Sequence, residues 1–220
     1  MTALIPNRFL FSFEIPLAYR AAFPTLTGRA EDWTDAELLP KLGDIDGRKD
    51  FADVWACWND TGLALACRVT GKRKPPSCDP KNYWTGDNLR FCIDTRDARA
   101  NKRATRYCHQ FYFLPAGAGQ GAKQPLAGSA KIQRAKEDAP TVPADSLLIK
   151  SAVSRTGYTL EAFIPAECLF GFNPTDHPRI GLYYILEDAE LGQQYLTVGD
   201  DLYWYVDPST WATVVLSRNA

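Results

Sequence analysis

Apolar residues recur at every second position from one end of this chain to the other, and that repeat leaves few folds open. Side chains of an extended strand point alternately to opposite faces, so period-two alternation marks strands with one buried face. Phe9, Phe11, Phe13 and Ile15 alternate with more polar neighbours. Ala52–Trp58 and Leu63–Val69 flank Asn59-Asp60-Thr61-Gly62, a hairpin signal. Leu89, Phe91 and Ile93 alternate with Asn88, Arg90 and Cys92. Further strands are expected at His109–Leu114, Ala130–Ala135, Leu147–Ser154, Tyr158–Ile164, Ile180–Glu187, Gln194–Val198 and Ala212–Leu216. Helical periodicity is confined to Thr34–Lys41, truncated by Pro40, and a short turn at Ala166–Phe170. Arg96–Arg106 and Pro115–Ser129 carry no apolar period and are expected to be loops. Many short strands, punctuated by 15 Gly and 15 Pro, predict an all-β, antiparallel β-sandwich with jelly-roll or immunoglobulin-like layers. Long loops and one or two short helices complete it. No composition shift divides the 220 residues, so one domain over 1–220 is expected.

The hairpin sorts the faces. Pairing Asn59 with Gly62 aligns Trp58 with Leu63 and Cys57 with Ala64, and paired residues share a face. Val54, Ala56, Trp58, Leu63, Leu65, Cys67 and Val69 then form a core face, with Asp53, Trp55, Cys57, Ala64, Ala66 and Arg68 opposite. Leu89, Phe91, Ile93, Phe111 and Phe113 point inward by the same parity; Arg90, Cys92, Gln110 and Tyr112 point outward. An outer face carrying aromatic and arginine side chains is expected to be covered or to form a cleft.

Composition narrows the chemistry. The formal net charge is −1, with 25 Lys+Arg against 26 Asp+Glu, which excludes a wholly basic nucleic-acid binder. Arg68–Arg106 nonetheless holds eleven Lys/Arg and four Asp, a local basic stretch with Tyr83 and Trp84 between them. No apolar run is long enough to cross a bilayer. The first residues, MTALIPNRFLFSFEIPLAYR, lack the pattern of a secretory signal, and a cytoplasmic location is expected, or an extracellular one for a processed precursor. The six cysteines are then expected as reduced thiols, with Cys67 buried and unpaired. No G-x-S-x-G or HExxH occurs, and the two histidines, His109 and His177, are poorly placed for catalysis. Glu161, Glu187, Asp188 and Glu190 are carboxylates a glycosidase could use, but sequence places no two of them across a sugar. Cys57, Cys92 and Cys108 lack the close spacing of a zinc site. Asp60, Asp79, Asp87, Asp94 and Asp97 fall in or beside expected turns, where carboxylates can cage a calcium ion, but a plain turn-forming Asp is the expected reading at each single position. No enzyme is expected.

Five segments, Lys81–Asp94, Trp58–Leu65, Gly157–Pro165, Arg179–Leu182 with Glu187-Asp188, and Asp207–Trp211, are together similar to the family 9 carbohydrate-binding modules and the related DOMON-like sandwiches. Lys81–Asp94 (KNYWTGDNLRFCID) resembles the family's W-x-x-D segment leading into an alternating strand. Trp58–Leu65, Gly157–Pro165, Arg179–Leu182 with Glu187-Asp188, and Asp207–Trp211 resemble its other motifs in the same order. The resemblance covers about residues 46–216, with the strand at 9–15 added to it.

That resemblance implies a β-sandwich that binds a saccharide or glycan-like ligand without catalysis, clamped between aromatic rings, with no required cofactor and with structural calcium as an option. Trp84 matches the first clamp ring, and Tyr205 or Trp204 the second. The chain departs from the family at Arg90, Tyr112, Leu114 and Ile185, where polar sugar contacts are expected. The ligand site is therefore expected at Trp84, Arg90, Tyr112, Trp204 and Tyr205, with Tyr112 on the cleft floor. Arg90 and Arg68 would favour a carbohydrate or small anionic partner. The alternatives are a structural or protein-interaction sandwich without a sugar ligand, and an accessory module of a glycoside hydrolase system. No membrane partner is expected.

Overall fold

The predicted hairpin forms in the predicted register. In the computed structural model, which describes residues 13–143 and 145–218, Asn59 pairs with Gly62, Trp58 with Leu63 and Cys57 with Ala64. The described strands are β1 (Glu14–Tyr19), β2 (Ala52–Asn59), β3 (Gly62–Thr70), β4 (Asn88–Asp94), β5 (Cys108–Ala118), β6 (Gln124–Ala130), β7 (Leu148–Val153), β8 (Gly157–Pro165), β9 (Arg179–Asp188), β10 (Gly192–Tyr195) and β11 (Ala212–Leu216). One layer runs β6-β5-β4-β9-β11-β1, with β10 also on β9; the other runs β1-β2-β3-β8-β7. Strand β1 belongs to both. Its first residues lie parallel to β11 and its last two parallel to β2, so the sandwich is antiparallel except at this shared strand. Phe9 and Phe11 lie outside the described residues.

Between the layers sits the core that the alternation marked. Leu65, Phe91 and Phe111 are each 0% exposed. Trp58 is buried with them and donates its indole N–H to the Leu17 carbonyl at 3.0 Å, which satisfies the one polar atom that its burial would otherwise strand. Cys67 faces this core, Cys57 faces away, and all six cysteines are free thiols.

Three local expectations are corrected. Pro115–Ser129 is largely strand: β5 continues to Ala118 through a register shift, and β6 pairs beside it. Its small residues hide the alternation for a steric reason. A Cβ on Gly128 would lie 2.3 Å from the Tyr112 hydroxyl, so the neighbouring ring takes the space a side chain would fill. Ala130–Ala135 leaves the sheet after its first residue and turns. The two expected helices are single 3-10 turns, Asp35–Glu37 and Ala166–Cys168; Thr34 and Glu37 cap the first reciprocally.

Both outer faces are covered, by different means. Over β2 and β3, Ala30 and Trp33 pack on Trp55, Cys57, Ala64 and Ala66. Buried Glu161 pins this segment: it accepts the Trp33 indole N–H at 3.0 Å and the Thr27 backbone N–H at 2.8 Å, and Gly28 N–H also donates to it. Over β4 and β9, Cys92, Tyr183 and Ile185 lie beneath Trp204 and Trp211. The second cover is incomplete, and a cleft remains at its rim.

Candidate functional site

Gly86 directs the chain at the cleft's edge. It adopts φ +73°, and a Cβ there would sit 2.1 Å from the Ser77 carbonyl oxygen, so only glycine closes this turn. The turn lifts Trp84 from the sheet, leaving it 47% exposed. Behind it stands a row of rings: Trp84 meets Tyr83 edge-on at 5.1 Å, and Tyr83 stacks on Tyr112 at 4.2 Å and 15°. Gln110 donates to the Tyr83 hydroxyl at 3.2 Å and fixes that ring.

From the opposite side comes the 196–211 segment. Trp204 is completely buried, stacked on Tyr183 at 4.8 Å, with its indole N–H donated to Asp200 at 2.9 Å. Tyr205 meets it edge-on at 5.7 Å and stays partly exposed. Between the two sides, the Arg90 guanidinium lies 5.0 Å above the Trp204 ring and donates to Glu187 at 2.5 Å. Gln193 donates to both Glu187 and Asp200, linking the acidic groups around Arg90.

The resulting cleft encloses about 350 Å³ and is lined by Tyr83, Trp84, Arg90, Gln110, Lys131, Gln133, Asp200, Trp204 and Tyr205. It brings together four of the five expected site residues. Trp204 enters only as a buried floor, so Tyr205 alone of that pair offers an accessible ring. Tyr112 does not line the cleft; it supports Tyr83 from behind. Leu114 and Ile185 are 0% exposed and do not line the cleft. Arg68 is on the other layer, over Trp55 and bonded to the Ala30 carbonyl, so it cannot join Arg90 around an anion. Sequence reasoning missed Tyr83, Gln110, Lys131, Gln133 and Asp200 as lining residues. Strand parity did turn Gln110 outward and Tyr83 adjoins Trp84, but nothing local distinguishes the other three.

Beneath the Trp84 loop lies a buried ionic group. Lys72 donates to Asp87 and to Asp188, each at 2.6 Å, and all three side chains are at most 1% exposed. Burial opposes the Lys72 charge, but the two carboxylates raise its pKa above the ordinary value. Burial, then the facing Asp188, pushes Asp87 up to about 6. Asp188 is held below the usual range despite burial, by its bonds with Asp87 and Lys72 and from the Glu190 and Leu191 N–H groups. Asp87 also accepts the Ser77 N–H at 2.7 Å, so the group ties both ends of the loop carrying Trp84.

The other expected ion-binding and catalytic groups have their own partners. Calcium does not fit between Asp87 and Asp188, because the Lys72 ammonium fills that position. Asp60 pairs with Arg218, Asp79 holds its own turn at Lys81 and Asn82, Asp94 accepts the Arg96 and Ala98 N–H groups, and Asp97 accepts the Thr213 hydroxyl. Glu190 accepts the Arg73 and Lys74 N–H groups. Among the described residues no three His, Cys, Asp or Glu side chains converge on a metal position. Cys57 lies on the other layer from Cys92 and Cys108. His109 is buried beside the Phe170 carbonyl, and burial lowers its pKa to about 4. The basic stretch is dispersed: Lys72 is buried, and Arg96 and Arg106 lie over Tyr107 and Phe170. No helix among the described residues is long and apolar enough to cross a membrane.

The fold has known counterparts. A structure of a family 9 carbohydrate-binding module from Caldicellulosiruptor kristjanssonii in complex with cellotriose superposes with a TM-score of 0.62 at 13% identity, covering 94% of this chain and 97% of that one. A structure of a family 9 module from the same organism in complex with glucose gives 0.63 at 13% identity, with 93% and 96% covered. This chain therefore has the β-sandwich fold of those modules, in divergent form. No protein-family model matches its sequence, and no curated protein does.

Proposed function

We propose that the chain is a non-catalytic carbohydrate-binding sandwich that takes a neutral saccharide in the cleft beside Trp84. The observation carrying this reading is an accessible indole placed next to fixed hydrogen-bonding groups. The C–H face of a sugar stacks on such a ring, while its hydroxyls, which both donate and accept, need mixed polar partners. Gln110, Gln133, Asp200 and the Arg90–Glu187 pair provide that mixture. The fold's likeness to modules holding cellotriose and glucose supports the same ligand class. A neutral ligand is favoured over an anion because Glu187 already engages Arg90 and Asp138 engages Lys131. Non-catalytic action is favoured because Glu161, Asp188 and Glu190 are each held by backbone or indole N–H groups or by Lys72. No cofactor is needed for this binding. The free thiols suit a reducing compartment such as the cytoplasm.

Titration calorimetry with glucose, cellotriose and glucuronic acid tests the reading. Wild-type protein should bind cellotriose, and Trp84→Ala should abolish that binding without lowering the melting temperature. Tighter binding of glucuronic acid, weakening with salt, would replace the neutral ligand by an anionic one. Unchanged binding by Trp84→Ala, or none by the wild type, would refute the proposal.

A further inference from the structure

Beyond the cleft's lining stands a ring that the fold does not use. Tyr203 is 61% exposed, more than any other large hydrophobic side chain described. Its backbone is left-handed, with φ 52° and ψ 40°, a conformation that a residue with a Cβ adopts only at a steric cost. The conformation is enforced locally: the Tyr203 N–H donates to the Asp200 carbonyl at 3.2 Å, and its own carbonyl accepts from Val206 at 2.8 Å and Asp207 at 3.0 Å. Glycine or asparagine would satisfy the same turn at lower cost. An exposed tyrosine in a strained turn contributes little burial to the fold. Among the described residues its one ring contact is with Tyr205, edge-on at 5.9 Å and 66°, and Tyr205 lines the cleft.

We propose that Tyr203 is the platform of an additional sugar subsite, so that the protein recognises an oligosaccharide rather than a single sugar. This rests on the saccharide reading of the cleft. Trp84 and Tyr205 serve the unit inside, and Tyr203 serves the next unit where the chain leaves. Because the Tyr203 and Tyr205 rings are steeply inclined to each other, successive sugars must turn relative to one another. Rotation about a glycosidic bond allows that turn, and a single pyranose cannot cover both faces.

Calorimetry with glucose and cellotriose on wild-type protein, Tyr203→Ala, Tyr203→Gly and Trp84→Ala tests this. Loss of one ring contact should weaken cellotriose about three- to ten-fold in both Tyr203 variants while leaving glucose affinity unchanged. Tyr203→Gly should melt no lower than wild type, since it relieves the left-handed strain. Cellotriose affinity unchanged in both variants would overturn the subsite, as would equal losses for glucose and cellotriose. Those results leave the cleft reading standing as long as Trp84→Ala still abolishes binding. Wild-type protein that binds neither sugar overturns both.

Discussion

Replacing Lys72 by methionine removes an ammonium and keeps most of the side-chain volume. In the folded protein this leaves Asp87 and Asp188, both essentially inaccessible, facing each other without the cation they share at 2.6 Å. Breaking a buried ion pair from one side costs about 3–5 kcal/mol, because the remaining charge has neither water nor partner. Here two carboxylates are stranded, so the upper half of that range is expected at pH 7.5. The cost should depend on pH in a definite direction. Asp87 is already raised to about 6 by burial and by Asp188; losing Lys72 raises it further and removes one of the bonds that hold Asp188 low. A carboxylate whose folded pKa exceeds its unfolded value stabilises the fold below the unfolded value and loses that contribution as pH rises through the folded one. At pH 5 the variant therefore takes up a proton between the two acids, and the penalty should shrink by at least about 1 kcal/mol. Urea unfolding of wild type and Lys72→Met at pH 5 and pH 7.5 measures both quantities. A loss below about 1 kcal/mol at pH 7.5, or an equal loss at both pH values, would refute the reasoning.

Other expectations follow from the same structure. Phe91→Ala empties a fully buried site between the layers and should cost roughly 3–5 kcal/mol in chemical denaturation. Glu161→Ala strands the Trp33 indole N–H and the Thr27 and Gly28 N–H groups, so limited proteolysis should cut the 23–38 segment faster than in wild type. His109 is held to about 4 by burial, so its neutral form stabilises the fold above the unfolded value near 6.5, and that contribution falls as pH drops toward 4. His109→Gln should flatten this part of the stability–pH curve. Adding calcium or a chelator should leave the wild-type melting temperature unchanged, because Lys72 already fills the space between Asp87 and Asp188.

What the sequence determined by itself is whatever depends on near neighbours. Period-two alternation determined which residues of β2, β3, β4 and β5 face the core, because pleating allows only two faces. The Asn59–Gly62 turn determined the hairpin register, because its length permits one pairing. Trp84 was legible as a candidate only through the resemblance of Lys81–Asp94 to a family motif; its exposure, beside a turn that Gly86 closes, came from the fold. Where long-range partners decide, the sequence was silent. Gln124–Ala130 is an edge strand through its pairing with β5, and Gly128 within it breaks the alternation because Tyr112 of that partner strand takes the space of a side chain. The charge of Arg90 suggested an anion site, yet Glu187, 97 residues away, is paired with it. Lys72 read as part of a basic stretch and proved to be the buried centre of an ionic group whose acids lie 15 and 116 residues distant. Which ring of the Tyr203–Tyr205 run is buried and which is exposed was likewise settled by how that segment packs on Tyr183. Local periodicity specifies the face a side chain takes, whereas its neutralisation, burial or exposure depends on what the fold brings against that face.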